Sequence, residues 1–192
     1  MTAAEVLEFQ LLGSCRLVAD AAGAHTETWT ARVSSGMSLP GFIVWHCARI
    51  IDWGVHTVVR GVPELGASPE WGARVRYDMG HGAGLTDAEA DDIAATVRPE
   101  DVHAYALALQ DLIAPWIHRA TESELTAVPD LRGRNLFHPR YASQRAWEEI
   151  EGLEGVPAWQ VLARPCISHI RMHMGELDVF SQLVQAPEAE SA

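Results

Sequence analysis

The chain has 192 residues and no lysine; its 14 basic residues are all arginine, set against 26 acidic ones. A net charge of −12 works against nucleic acid and anionic membrane surfaces as partners, since both require a positive footprint. Cysteine is scarce. Cys15, Cys47 and Cys166 stand far apart, which excludes a C-x-x-C zinc knuckle and a disulfide framework. No apolar run approaches the roughly 18 residues of a membrane span. Met1-Thr-Ala-Ala-Glu lacks the basic and apolar regions of a secretory signal, so the expected compartment is the cytoplasm. Sustained strand alternation and internal repeats are also missing, which leaves helices as the expected architecture.

Hydrophobic residues make up 48% of the chain, an ordinary globular share. The length suits one domain with a sizeable core. Residues 1–185 are read as that domain, and 186–192, with Pro187, Glu188 and Glu190, as a frayed tail.

A first helix is expected from residue 4 to about 23, with Val6, Leu7, Phe9, Leu11, Cys15 and Val18 on its apolar face. Cys15 reads as a small core filler. Ser38 and Pro40 open a second helix, and Gly61 followed by Pro63 closes it. Residues 62–85 are glycine- and proline-rich and carry Trp71, Tyr77 and His81. They read either as a packed surface loop or as a lid.

Thr86 and Glu89 form a capping box ahead of a short acidic helix to about Val97. Pro99 starts a third long helix that Pro115 should kink or end. Thr121 and Glu124 mark another short turn. Residues 126–142 form a long connection with an extended piece at Asn135–His138. Arg132, Arg134, Arg140 and Arg145 make this segment basic, as a balanced surface or an entry for an anionic substrate. The last helix should run from Pro157 to about Val184, kinked at Pro165.

Chemistry concentrates in Cys166-Ile-Ser-His169-Ile-Arg-Met-His173-Met-Gly-Glu176. Residues four apart on a helix lie one above the other, so His169 and His173 can aim at one point. Two imidazoles hold a divalent ion weakly, and a third ligand should come from a facing helix. His46, inside the apolar run Phe42-Ile-Val-Trp-His46-Cys-Ala-Arg-Ile-Ile, is the best candidate. Glu176 could orient a ligand imidazole or accept a proton; its other reading is a plain surface carboxylate. Arg49 and Trp53 are candidate pocket residues, Arg49 for a substrate carboxylate or else an ion pair. Cys166 could line the cavity or ligate. Asp52 and His56 are expected to face solvent, as are His103 and His118.

A histidine within the second helix, followed in the last helix by His-x-x-x-His and Met174-Gly175-Glu176, resembles the DinB-like superfamily of metal-binding helical bundles. Trp159-Gln-Val-Leu162, leading into the pair, fits the same pattern. The resemblance implies an all-α, up-down-down-up four-helix bundle, often a homodimer, holding zinc or nickel on His46, His169 and His173. It also implies a transferase or isomerase acting on a small-molecule substrate with a thiol such as mycothiol or bacillithiol. The sulfoxide synthases of ergothioneine formation carry a related His-x-x-x-His-x-Glu, but here the glutamate falls one residue later. A metal-dependent hydrolase and a non-catalytic metal-stabilised binding module are the competing readings.

Overall fold

The computed structural model describes residues 2–185, and every regular element among them is helical. The expected tail at 186–192 lies outside the described residues. No described helix is long and apolar enough to cross a membrane.

Helix α1 (Ala3–Ala24) begins with a capping box: Thr2 Oγ1 accepts the Glu5 N–H, and the Glu5 carboxylate accepts the Thr2 N–H. Two orphan amides of the first turn are satisfied in this way. Helix α2 (Pro40–Asp52) starts with proline at its first position, where a missing N–H does no harm. The short helix α3 (Asp87–Thr96) carries the expected Thr86–Glu89 box. Helix α4 (Pro99–Ile117) again opens on proline, with Glu100 and Asp101 placed against the positive end of the helix dipole. Short helices α5 (Glu122–Thr126), α6 (Leu131–Asn135), α7 (Gln144–Ile150) and α8 (Ala158–Ala163) lead to α9 (His169–Gln185).

Helix α1 lies along α4, and α2 touches α1, α4 and α9. Leu11, Cys15 and Val18 of α1 are fully buried, as are Tyr105, Leu109 and Ile113 of α4 and Val44, Trp45 and Ile51 of α2. Each such large aliphatic side chain contributes about 1.5–3 kcal/mol by leaving water. Burial pushes the Cys15 thiol up to about 12, as expected of a core filler.

Two stretches depart from the expected regular helices. After Asp52 the second helix widens into a π-helical segment, Trp53–Arg60, which ends at Gly61 with φ 63°. That left-handed conformation favours glycine. The expected single last helix is in fact α8 and α9 joined by a widened turn, Arg164–Ser168. Pro165 has no N–H to offer the carbonyl one turn back, and the chain absorbs the gap by widening.

The expected extended piece at Asn135–His138 is not extended. Helix α6 ends there, and Leu136, Phe137 and His138 each donate an N–H to a carbonyl three residues earlier. The segment's arginines are occupied. Arg140 pairs with Glu89 at 2.8 Å, Arg134 caps the Val58 and Val59 carbonyls, Arg145 donates to the Leu85 carbonyl, and Arg132 lies over Trp147. They form a balanced surface rather than an anion entry.

Candidate metal centre

His46 sits in the middle of α2, and His169 and His173 occupy the first two turns of α9. The contact between α2 and α9 brings the three imidazoles together, each half-buried. His169 Nε2 lies 3.0 Å from His46 Nε2 and 3.0 Å from His173 Nε2. Among the described residues, these three form the one group of histidine, cysteine or carboxylate atoms spaced to hold an ion.

Whether the trio suits a cation follows from where its protons lie. His46 Nδ1 is 2.5 Å from the His81 carbonyl oxygen. A carbonyl only accepts, so His46 carries its proton on Nδ1 and turns a bare lone pair inward from Nε2. His173 Nδ1 is 2.7 Å from the Glu176 carboxylate, which fixes the same tautomer. His169 has one proton and can donate it to only one of its two neighbours.

At least one pair of nitrogen lone pairs therefore meets at hydrogen-bond distance with no hydrogen between them. Extra protons do not relieve this near neutral pH. Burial, reinforced by the adjacent His173 and His169, pushes His46 down to about 3. Burial and then His173 push His169 down to about 4.

A divalent ion does relieve it. Ligand nitrogens about 2.0–2.1 Å from one ion stand about 2.9 Å apart at a right angle and about 3.3 Å apart in a tetrahedron. The donor set and its spacing fit. His46, His169 and His173 are close enough to hold one metal ion.

The support behind His46 is a second, fully buried cluster. Arg49 was a candidate for binding substrate, but it is completely enclosed. Its guanidinium donates to Asp52 at 2.9 Å, Glu64 at 2.5 Å, the Tyr105 hydroxyl at 2.6 Å and the Gly80 carbonyl at 3.1 Å. Four of its five N–H donors are taken and the side chain is fully buried, out of reach of a ligand.

Asp52 and His56, expected at the surface, are buried as well. The 62–66 segment folds over that face of the helix, and the Leu65 and Gly66 amides donate to the Asp52 carboxylate at 3.0 and 2.9 Å. His56 Nδ1 adds a bond at 2.6 Å. Glu64 also accepts from Thr57 and Tyr141.

Charge within the cluster is unevenly shared. Burial raises Asp52, but His56 and Arg49 outweigh it and hold the carboxyl below its usual range. At Glu64 burial wins over Arg49, and the carboxyl stands above its usual range.

This cluster reaches the metal centre through the loop. Arg49 holds the Gly80 carbonyl, and the next carbonyl, that of His81, takes the His46 proton. Gly82 follows with φ 112°, and a Cβ there would stand 2.7 Å from His46 Nδ1. Only glycine lets the backbone come so close. Trp45 Nε1 donates to the Val75 carbonyl at 2.7 Å, so the 62–85 loop is a packed brace on α2. The ring of His81 is buried between Trp53 and Tyr141, with centroids at 4.4 and 4.9 Å, and both its nitrogens lack hydrogen-bond partners among the described residues.

Trp53 is core and wall at once. It is fully buried, its Nε1 donates to Asn135 Oδ1 at 2.9 Å, and it lines a cavity shared with His169. Cys166 does not ligate. Its buried Sγ lies 3.9 Å from the Ile50 carbonyl and packs against Gly54. Glu176 is neither a bystander nor free, being bonded to His173. His118 is exposed as expected, while His103 is half-buried and bonds the Ala19 carbonyl at 2.9 Å.

Sequence reasoning missed Glu64, Tyr105, Tyr141 and the backbone role of His81. The one local trace of the last is the glycine spacing Gly80-His81-Gly82-Ala83-Gly84. A scan against protein-family models matches none, and no curated protein matches the chain.

Proposed function

We propose that α1, α2, α4 and α9 form a DinB-like four-helix bundle, and that the chain is a metal-dependent enzyme joining a low-molecular-weight thiol to a small electrophile. The reading rests on one observation: His169 Nε2 lies 3.0 Å from the Nε2 atoms of both His46 and His173 while the protons of His46 and His173 are committed elsewhere. Imidazole donors suit zinc or nickel. Three protein ligands are the mark of a catalytic rather than a closed structural site. A divalent ion at that point supplies Lewis acidity, lowering the pKa of a thiol beside it.

The chain's own residues supply the rest. His46, His169 and His173 hold the ion; the His81 carbonyl and Glu176 fix two of the rings so that little reorganisation accompanies binding. Glu176 is a positioning residue on this reading, since its carboxylate is committed to His173. Trp53 and Met172 line the adjoining cavity. A thiol such as mycothiol is the proposed co-substrate.

Elemental analysis of wild type beside His46→Ala and His173→Ala tests the centre. Both variants should lose the bound ion, and equal content in all three overturns the site. Metal-loaded wild type should consume a low-molecular-weight thiol together with monochlorobimane, and chelated protein should not. Ester or amide turnover without thiol would make it a hydrolase instead. Metal-loaded protein that turns over neither would be a binding module, and the transferase reading would fall.

A further inference from the structure

Beside the three histidines lies a cavity of about 390 Å³, within the range of small-molecule sites. Its walls include Ile50, Trp53, Leu153 and Met172, and His169 belongs to it and to the metal centre alike. The widened turn at Pro165 places Arg164 and Ser168 on the same wall, just ahead of His169. Widened turns of this kind often occur at functional sites.

Two charged side chains border the cavity, and they are not equivalent. Glu149 is partly committed, its carboxylate accepting the Gly84 amide at 3.0 Å. Arg164 donates only to the Gly152 carbonyl, at 3.2 Å, and has no carboxylate partner among the described residues. In a chain of net charge −12, this is a cation without a direct ion pair on the wall of a mostly apolar cavity. Arg16, Arg119, Arg145 and Arg171 are also exposed without a carboxylate partner among the described residues, bonding an amide or carbonyl oxygen instead. What sets Arg164 apart is its place on the cavity wall beside His169.

We propose that this cavity binds a small, mostly apolar molecule carrying one anionic group. The anion is held by Arg164, and the body lies against Trp53 and Met172 with one end at His169. That this molecule is the electrophile of the reaction rests on the proposed function; that it binds does not. Bidentate recognition by a planar guanidinium suits a carboxylate or sulfonate.

The test uses two fluorescent probes on the full chain: 8-anilinonaphthalene-1-sulfonate and its neutral parent, N-phenyl-1-naphthylamine. Titrations are run with chelated and with metal-loaded protein. Arg164→Gln should weaken the sulfonate about fivefold, as expected for an exposed ion pair, and leave the neutral probe within twofold. Ser168→Trp, at an exposed position on the cavity wall, should weaken both at least tenfold while the far-UV circular dichroism is unchanged.

An unaltered sulfonate affinity in Arg164→Gln overturns the proposal. So does unaltered binding of both probes in Ser168→Trp, because the probes would then sit elsewhere. Binding read on chelated protein keeps the two claims separable. A chain that fails the metal analysis yet shows the Arg164 effect keeps the cavity; a chain that holds metal without that effect loses only the cavity.

Discussion

Replacing Arg49 by methionine tests the buried cluster behind the metal centre. Methionine preserves much of the stem's volume and removes the charge with all its donors. In the native chain the guanidinium faces Asp52 at 2.9 Å and Glu64 at 2.5 Å, and both carboxylates are buried. Removing one partner of a buried pair generally costs about 3–5 kcal/mol, because the other charge is stranded. Two charges are stranded here, but one has a partial escape. Glu64 already stands above its usual range through burial, against the pull of Arg49, so it takes up a proton readily once Arg49 is gone. The expected loss is therefore at the lower end, about 3 kcal/mol at pH 7.

The pH dependence has a definite sign. In the variant Glu64 keeps the folded pKa that burial raises above its unfolded one, so its contribution is fully present below about pH 4 and is lost as pH rises through the folded value. Asp52 loses the attraction of Arg49 and moves upward. Asp52 in the native chain runs the other way. Its pKa is lowered, with burial outweighed by His56 and Arg49, so its contribution is present above about pH 4 and is lost as pH falls. The stability gap between the two proteins should widen from pH 5 to pH 8. Urea unfolding of chelated protein at several pH values measures it. With a slope of about 2 kcal/mol/M, the midpoint should fall by about 1.5 M at pH 7. A shift under about 0.5 M, or a gap that narrows as pH rises, would refute the reasoning.

Gly82→Ala places a Cβ 2.7 Å from His46 Nδ1 at φ 112°. It should weaken metal binding at least tenfold in a competitive chelator titration, with about 1–3 kcal/mol of strain visible in the unfolding midpoint. Glu176→Gln keeps an acceptor for His173 but drops the charge, and Glu176→Ala removes both. Metal affinity should fall in that order, reaching about 10–100-fold for alanine, while the chelated proteins unfold alike because Glu176 is half-exposed. Equal affinity in both variants would make the 2.7 Å bond to His173 irrelevant to the centre.

The parts of this site that could be read from the sequence are those set by spacing along one helix. His169, His173 and Glu176 follow at intervals of four and three, so they share a face whatever else surrounds them. His46 was legible because an imidazole inside an apolar helix needs a partner, and the α9 pair offers one.

The spacing along α2 also set out a second stripe, in which Arg49, Asp52 and His56 recur at three and four. Which way that stripe faced depended on something α2 does not encode. Glu64 arrives from the loop, Tyr105 from α4 and Tyr141 from beyond α6, and together they turn an apparently solvated face into an interior. His81 was harder still, since its contribution to His46 is a carbonyl that every residue possesses. What distinguishes it is permission for the backbone to come close, granted by Gly82 and held by Arg49 through Gly80. The two stripes of α2 are thus one device. The first aims His46 at α9, and the second holds the loop that decides which of its nitrogens is bare.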